Sequence, residues 1–186
     1  MLLGWTGRTV TRSSTSPSPA TARYHTGRSQ MDEIAAWLVQ SGVKFVWVAR
    51  ADAPRLLKTC RSGDDGLMVP WCDQLGVLAH EAVGGFLTHC GWSSTQEGFF
   101  TGVTFLTYPI VLDQQEANSK LIVEDFKVGW RLEGPTGDGG VVKRDEIGGM
   151  VEKFMDGESG EAKEMRLIAE AELCASCGRC CRVVRC

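Results

Sequence analysis

The chain has 186 residues, 43% of them hydrophobic, enough for one domain with its own core, and no apolar run reaches the roughly 18 residues that a membrane helix needs. Its formal net charge of −3 hides an asymmetry: residues 32–173 hold all 23 acids, while seven of the 20 basic residues lie outside that stretch, leaving 13 inside and a net charge of −10 there. An acidic body without a membrane span argues against a nucleic-acid partner and predicts a soluble, cytoplasmic protein, a location that the scattered Cys60, Cys72 and Cys90 also fit.

Residues 1–29 are rich in Ser, Thr and Arg, contain Pro17 and Pro19, and show no sustained apolar period. They read as a disordered or aberrant leader. The acid-free, Arg- and Ser-rich composition also fits an organelle transit peptide, although a truncated or misassembled start is the favoured account, and there is no secretory apolar segment. From 30 to 41 the residues Met31, Ile34, Ala35 and Leu38 fall at helical spacing, with Asp32 and Glu33 placed in the first turn and Gly42 as the stop. Residues 44–49 read as a buried strand. Residues 51–66 are largely polar apart from Leu56 and Leu57, and 63–66 form an exposed loop.

Three apolar runs then follow, each leading into polar or aromatic residues. Residues 67–70 end at Trp71, 85–88 end at His89, and 104–109 lead to Asp113 and Gln114. Each run reads as a short buried strand, and helical lengths lie between them, beginning with 74–79, which brings Ala82 and Val83 to the next strand. The alternation predicts an α/β fold, a parallel sheet with helices on both faces. Ligands of such sheets sit beyond the carboxyl ends of the strands, so Trp71, His89 to Ser94, Asp113 and Gln114 share one rim.

The segment His89-Cys90-Gly91-Trp92-Ser93-Ser94 reads as a tight turn at Gly91 with a helix opening near Ser93 or Ser94. A helix start suits a phosphate. The same residues allow a plainer reading, because Ser94 to Glu97 fits a capping box. Singly, the other candidates have plain readings too: His89 as a structural histidine, Trp71 and Trp92 as packing, Asp113 as the cap of a helix with Glu116 three residues on, and His80 as an ordinary helix-end residue.

Beyond Gln114, Ala117, Leu121, Ile122 and Val123 place a helix over 115–126, and 128–132 reads as a strand. Residues 134–140 form a loop, a helix runs from about 141 to 155, 157–160 break it, and 161–173 make a last helix. Residues 174–186 hold Cys174, Cys177, Cys180, Cys181 and Cys186. Their spacing invites zinc or an iron–sulfur cluster, but no histidine lies nearby and no second knuckle exists. A shifted reading frame and an unstructured tail without a metal are the better reading.

The stretch from Trp71 to Gln114 is 44 residues long. It resembles the signature box of plant UDP-sugar-dependent glycosyltransferases, which runs from a Trp through a His-Cys-Gly-Trp core to an acidic residue followed by Gln. Residues 47–50 and 118–133 extend the resemblance. It implies that 30–173 form the Rossmann-like, UDP-sugar-binding C-terminal domain of a two-domain, GT-B glycosyltransferase.

The resemblance also implies a donor site. Trp71 would stack on the uracil and the Cys72 backbone would reach its edge. Gln74 and Glu97 would bind ribose hydroxyls, His89 and Ser94 with the N–H groups after Gly91 would hold the diphosphate, and Trp92, Asp113 and Gln114 would bind the sugar. Ser93 stands where the family usually carries Asn, and Gly102-Val103-Thr104 where it usually carries Gly-Val-Pro. The implied reaction moves a sugar, glucose above all, from a UDP-sugar substrate to a hydroxyl of a small-molecule acceptor, with inversion and without a cofactor or metal.

In that family the base is a His oriented by an Asp in a separate N-terminal acceptor domain. His25 matches no such motif, so no catalytic residue is assigned here, and a fragment of this kind is expected to be weak or inactive alone. The family's first strand and Gly-Ser turn are not recognisable in 1–29 either. The alternative is a non-catalytic UDP-sugar-binding or interaction fragment.

Overall fold

The computed structural model describes residues 10–13, 26–48, 66–109, 113–132, 141–156 and 158–177. Among them the strands β1 (Val10–Ser13), β2 (Phe45–Val48), β3 (Gly66–Val69), β4 (Gly85–Thr88), β5 (Phe105–Thr107) and β6 (Gly129–Arg131) form one sheet in the order β3-β2-β1-β4-β5-β6. Every neighbouring pair is parallel. The helices are α1 (Thr26–Ser41), α2 (Gln74–Leu78), α3 (Trp92–Thr101), α4 (Asp113–Lys120), α5 (Arg144–Met155) and α6 (Gly160–Cys177), and α4 continues into a π-helical turn over Leu121–Asp125.

Strands β4 and β5 are buried at every position because both faces of the sheet are covered. The period of two divides their side chains. Phe86 and Phe105 pack on one face with Leu78 of α2, Phe99 of α3, Ile122 and Ala169 of α6. Leu87 and Leu106 join Phe45 and Trp47 on the other, against Ile34, Trp37 and Leu38 of α1 and Ile147, Val151 and Phe154 of α5. This is the α/β architecture, with helices on both faces, that the alternating pattern predicts.

The chain departs from the sequence reading at both ends. Residues 10–13 lie within the stretch read as disordered, yet they form the central strand: Val10 pairs with Phe45 on one side and with Gly85 on the other. The four residues VTRS carry no apolar alternation, and backbone ladders to β2 and β4 hold them. Helix α1 starts at Thr26, a turn earlier than expected, so Asp32 and Glu33 fall outside its first turn. Glu33 instead accepts hydrogen bonds from the N–H of Arg144 at 3.0 Å and from its Nε at 3.1 Å. Gly42 ends α1 with a positive φ of 63°.

Helix α6 runs to Cys177, so Cys174 and Cys177 belong to it rather than to an unstructured tail. Cys180, Cys181 and Cys186, the loop expected at 134–140 and residues 51–65 of the polar stretch lie outside the described residues, while Gly66, expected in the loop at 63–66, opens β3.

From β1 the sheet grows one way through β2 and β3 and the other way through β4, β5 and β6. The order reverses between β1 and β4. A crevice at the carboxyl ends of such a pair is where open α/β sheets place ligands, and the turn leaving β4 stands there.

Candidate functional site

The turn begins at Thr88, the last residue of β4, and both His89 and Cys90 after it are buried. Cys90 holds a left-handed φ of 64°, unfavourable for a residue with a Cβ. Its N–H donates to Thr88 Oγ1 at 3.1 Å, and its carbonyl accepts from Asn118 Nδ2 at 2.9 Å. Gly91 comes next in extended conformation as the residue preceding α3. A Cβ here would lie 2.5 Å from His89 Nε2, so glycine is what lets the backbone rest on the imidazole.

Helix α3 starts at Trp92. The N–H of Thr95 makes an intrahelical bond to Gly91 O at 2.9 Å, so the N–H groups ahead of it face the positive end of the dipole. The cap residue, Gly91, has no side chain with which to cap this end, and no acid lies in its first turn. The starts of α4 and α5, by contrast, carry Asp113 with Glu116 and Asp145 with Glu146. The expected helix start near Ser93 or Ser94 is therefore one or two residues late, and the capping box of Ser94 with Glu97 does not form. Ser94 is already the third residue of the helix and buried, and Glu97 is engaged elsewhere.

That engagement assembles three of the candidate residues. Asp73 caps α2, its carboxylate accepting from Gly76 N at 3.3 Å. Gln74, the first residue of α2, then sends its Nε2 to Glu97 Oε2 at 2.6 Å and to Ser94 Oγ at 3.3 Å. Around this cluster the aromatics are open. Trp71 is 68% exposed between β3 and α2, and Trp92 is 49% exposed, so neither is a core residue. Cys72 is half-buried, and Ser93, Asp113 and Gln114 are exposed.

Burial pushes the Cys90 thiol up to about 12 and also raises that of Cys72, so neither is a thiolate nucleophile at neutral pH. His80 accepts from Ala82 N through Nδ1 at 3.1 Å, closing the turn after α2. Among the described residues no group of three or more His, Cys, Asp and Glu is placed to hold a metal ion, and no helix is long and apolar enough to cross a membrane.

Sequence reasoning missed the support behind the turn. Asn118 and Ser119 are buried on α4; Asn118 binds Cys90, and Ser119 shares a 2.8 Å hydrogen bond with Thr107 of β5. Arg131 of β6 forks onto Glu116 of the same helix, Nη1 to Oε1 and Nη2 to Oε2, the latter at 2.7 Å. Glu116 is thus held by a neighbouring strand rather than folded back on the start of α4, and the guanidinium keeps its carboxyl below the usual range. The available signal was Asn118 itself, a polar residue one helical turn before the buried Ile122 on the same face.

The family described as UDP-glucoronosyl and UDP-glucosyl transferase matches residues 24–128. UDP-glycosyltransferase 87A2 of Arabidopsis thaliana is 50% identical over 138 residues, which are 74% of this chain and 30% of that protein. The crystal structure of Os79 from O. sativa in complex with UDP superposes with a TM-score of 0.72 at 30% identity, covering 88% of this chain and 35% of that one. The structure of Phytolacca americana UGT2 complexed with UDP-2fluoro-glucose and pterostilbene gives 0.71 at 31% identity, covering 90% and 36%. The chain thus spans about a third of the length of the relatives it matches, on the architecture of their GT-B fold. With more than half of its residues matched by the family and half of the aligned residues identical to a member, the chain belongs to the UDP-glucoronosyl and UDP-glucosyl transferase family.

Proposed function

We propose that this chain is the donor-binding half of a UDP-sugar-dependent glycosyltransferase. The observation that carries the reading is the start of α3, with glycine as its cap residue and no acid in its first turn, beside the exposed Trp71 and the Gln74–Ser94–Glu97 cluster. A diphosphate matches that positive helix end. Trp71 stacks on the uracil and the Cys72 backbone reaches the base edge. Gln74 and Glu97 exchange part of their mutual bonding for ribose hydroxyls. His89, Ser94 and the N–H groups after Gly91 hold the diphosphate, while Trp92, Ser93, Asp113 and Gln114 meet the sugar.

In the reaction an acceptor hydroxyl oxygen attacks the anomeric carbon from the face opposite UDP, the bond from that carbon to the phosphate oxygen breaks, and the charge develops on the diphosphate. The helix dipole is aimed at that charge. The hydroxyl proton needs a base. His89 is buried beneath Gly91 and His80 closes the turn leading to the amino end of β4, so neither is placed for it. We assign the base and the small-molecule acceptor site to a separate domain, and the donor is a substrate rather than a cofactor. The same observation favours a second reading, a UDP-sugar-binding module without catalysis of its own. A cytoplasmic location belongs to the proposal, in keeping with Cys72 and Cys90 as free thiols.

Calorimetric titration with UDP and UDP-glucose tests the donor reading. Saturable binding is expected, weakened about tenfold or more by Trp71→Ala, as loss of one stacked base predicts, and weakened also by Glu97→Ala. Absence of binding by a chain that circular dichroism shows to be folded overturns it. Adding an acceptor domain from a relative separates the two readings, since only the enzyme half then forms glucoside.

A further inference from the structure

We infer that Asn118, which lies outside the donor contacts proposed above, is the positioning residue that sets the phosphate-binding turn, its amide clamping the Cys90–Gly91 peptide at the start of α3. The inference rests on the donor-site reading for its ligand and on four observations for its geometry. Asn118 is buried, and its Nδ2 donates to Cys90 O at 2.9 Å across the gap between α4 and the turn. Cys90 holds a left-handed backbone that a non-glycine residue keeps only when its surroundings impose it. Its own N–H is fixed from the strand side by Thr88 Oγ1, so the two bonds hold the peptide groups on either side of the Cys90 Cα. Helix α4 is itself immobilised, by Ser119 on Thr107 and by Glu116 on Arg131.

The consequence is a coupling between two parts of the donor site. Gln114 stands one helical turn before Asn118 on the same face of α4. The helix that presents Gln114 to the sugar therefore also sets the angle at which Gly91 delivers α3 to the diphosphate. Loss of the amide releases the Cys90 carbonyl and lets the turn relax from its positive φ. The base contact of Trp71 and the ribose contact of Gln74 lie outside α3 and stay where they are, and the hydrogen bond from Gln74 holds Glu97 beside them.

Asn118→Leu keeps the approximate side-chain size and removes the amide; Asn118→Ala removes the amide and the bulk. Ser119→Ala loosens the same helix at Thr107 and removes a hydrogen bond to the Cys90 thiol, but leaves the bond from Asn118 to the Cys90 carbonyl in place. Each full-length variant is titrated with uridine and with UDP, and iodoacetamide labelling of Cys90 is followed by peptide mass spectrometry. For Asn118→Leu the expected result is a loss of about tenfold or more in UDP affinity, the scale of one orphaned buried group, with uridine affinity within about twofold and faster labelling of Cys90. Ser119→Ala is expected to leave the ratio of UDP to uridine affinity unchanged.

An unchanged ratio in Asn118→Leu, or an equal fall in Ser119→Ala, overturns the inference. So does unfolding of both Asn118 variants while Ser119→Ala folds, because the role is then structural only. If the wild-type chain binds neither ligand, the donor-site reading fails by itself. The Cys90 labelling rate then decides whether Asn118 sets the turn, and an unchanged rate overturns it.

Discussion

Gly91 carries the sharpest steric demand in the site. Its α-hydrogen side faces the buried His89, and a methyl group would meet Nε2 at 2.5 Å. Gly91→Ala therefore has to push the imidazole out of its packed position or shift the start of α3. We expect a stability loss of about 1–3 kcal/mol, typical of overpacking, and weaker UDP binding, with helical content preserved. Equal UDP affinity in wild type and variant by calorimetry would remove the turn from the ligand. At this scale the grouping of Gln74, Ser94 and Glu97 was legible through the spacing of the signature box that the stretch resembles. Asn118 was not, because it acts on a backbone carbonyl, and the partner of a carbonyl leaves no mark at the partner's position in the sequence.

Helix α3 is seated on the sheet by a close approach at Gly98. An added Cβ would come within 2.3 Å of the Phe105 ring, which is fully buried. Phe99 beside it packs on Phe105 and Phe126 with ring centroids 5.3 and 4.8 Å away. Gly98→Ala is expected to lower the urea midpoint by the equivalent of about 1–3 kcal/mol, and to weaken UDP binding by lifting the helix whose first turn we propose for the diphosphate. Unchanged stability would mean that Phe105 has room to turn. The helix also shows why its boundary was misread. Ser94 to Glu97 is a sound local start signal, but the turn imposed by Cys90 and Gly91 begins the helix earlier, and Gln74 competes for Glu97. Tertiary bonds outweighed a local one.

Among the described residues, two ion pairs join separate elements of the fold. Glu33 ties α1 to the first residue of α5 through Arg144, and Glu116 ties α4 to β6 through Arg131. The arginine in each case holds the carboxyl below its ordinary value of 4.5. A carboxyl with a depressed folded-state pKa contributes stability that is complete above its unfolded value and is lost as pH falls through the folded value. The urea midpoint is thus expected to be flat between about pH 5 and 7 and to fall below about pH 4.5. Both pairs are partly exposed, so solvent screening keeps each contribution modest. Glu33→Gln should flatten part of the acid fall. An acid fall equal in Glu33→Gln and wild type would show that other carboxyls carry it.

Period and order were legible in the sequence. Three apolar runs, each ending in polar or aromatic residues and separated by helical lengths, determine a parallel α/β sheet whose strands end on one rim, because side-chain burial imposes its period on composition. What only the tertiary structure decided was held by backbone or by long-range bonds. The strand Val10–Ser13 sits at the centre of the sheet by ladders to β2 and β4, and a hydrogen-bond ladder, unlike a buried face, requires no apolar alternation. The early start of α3 and the clamp of Asn118 on Cys90, 28 residues away, have the same origin. Main-chain groups are identical at nearly every residue, so which of them pair is settled only when the fold brings them together.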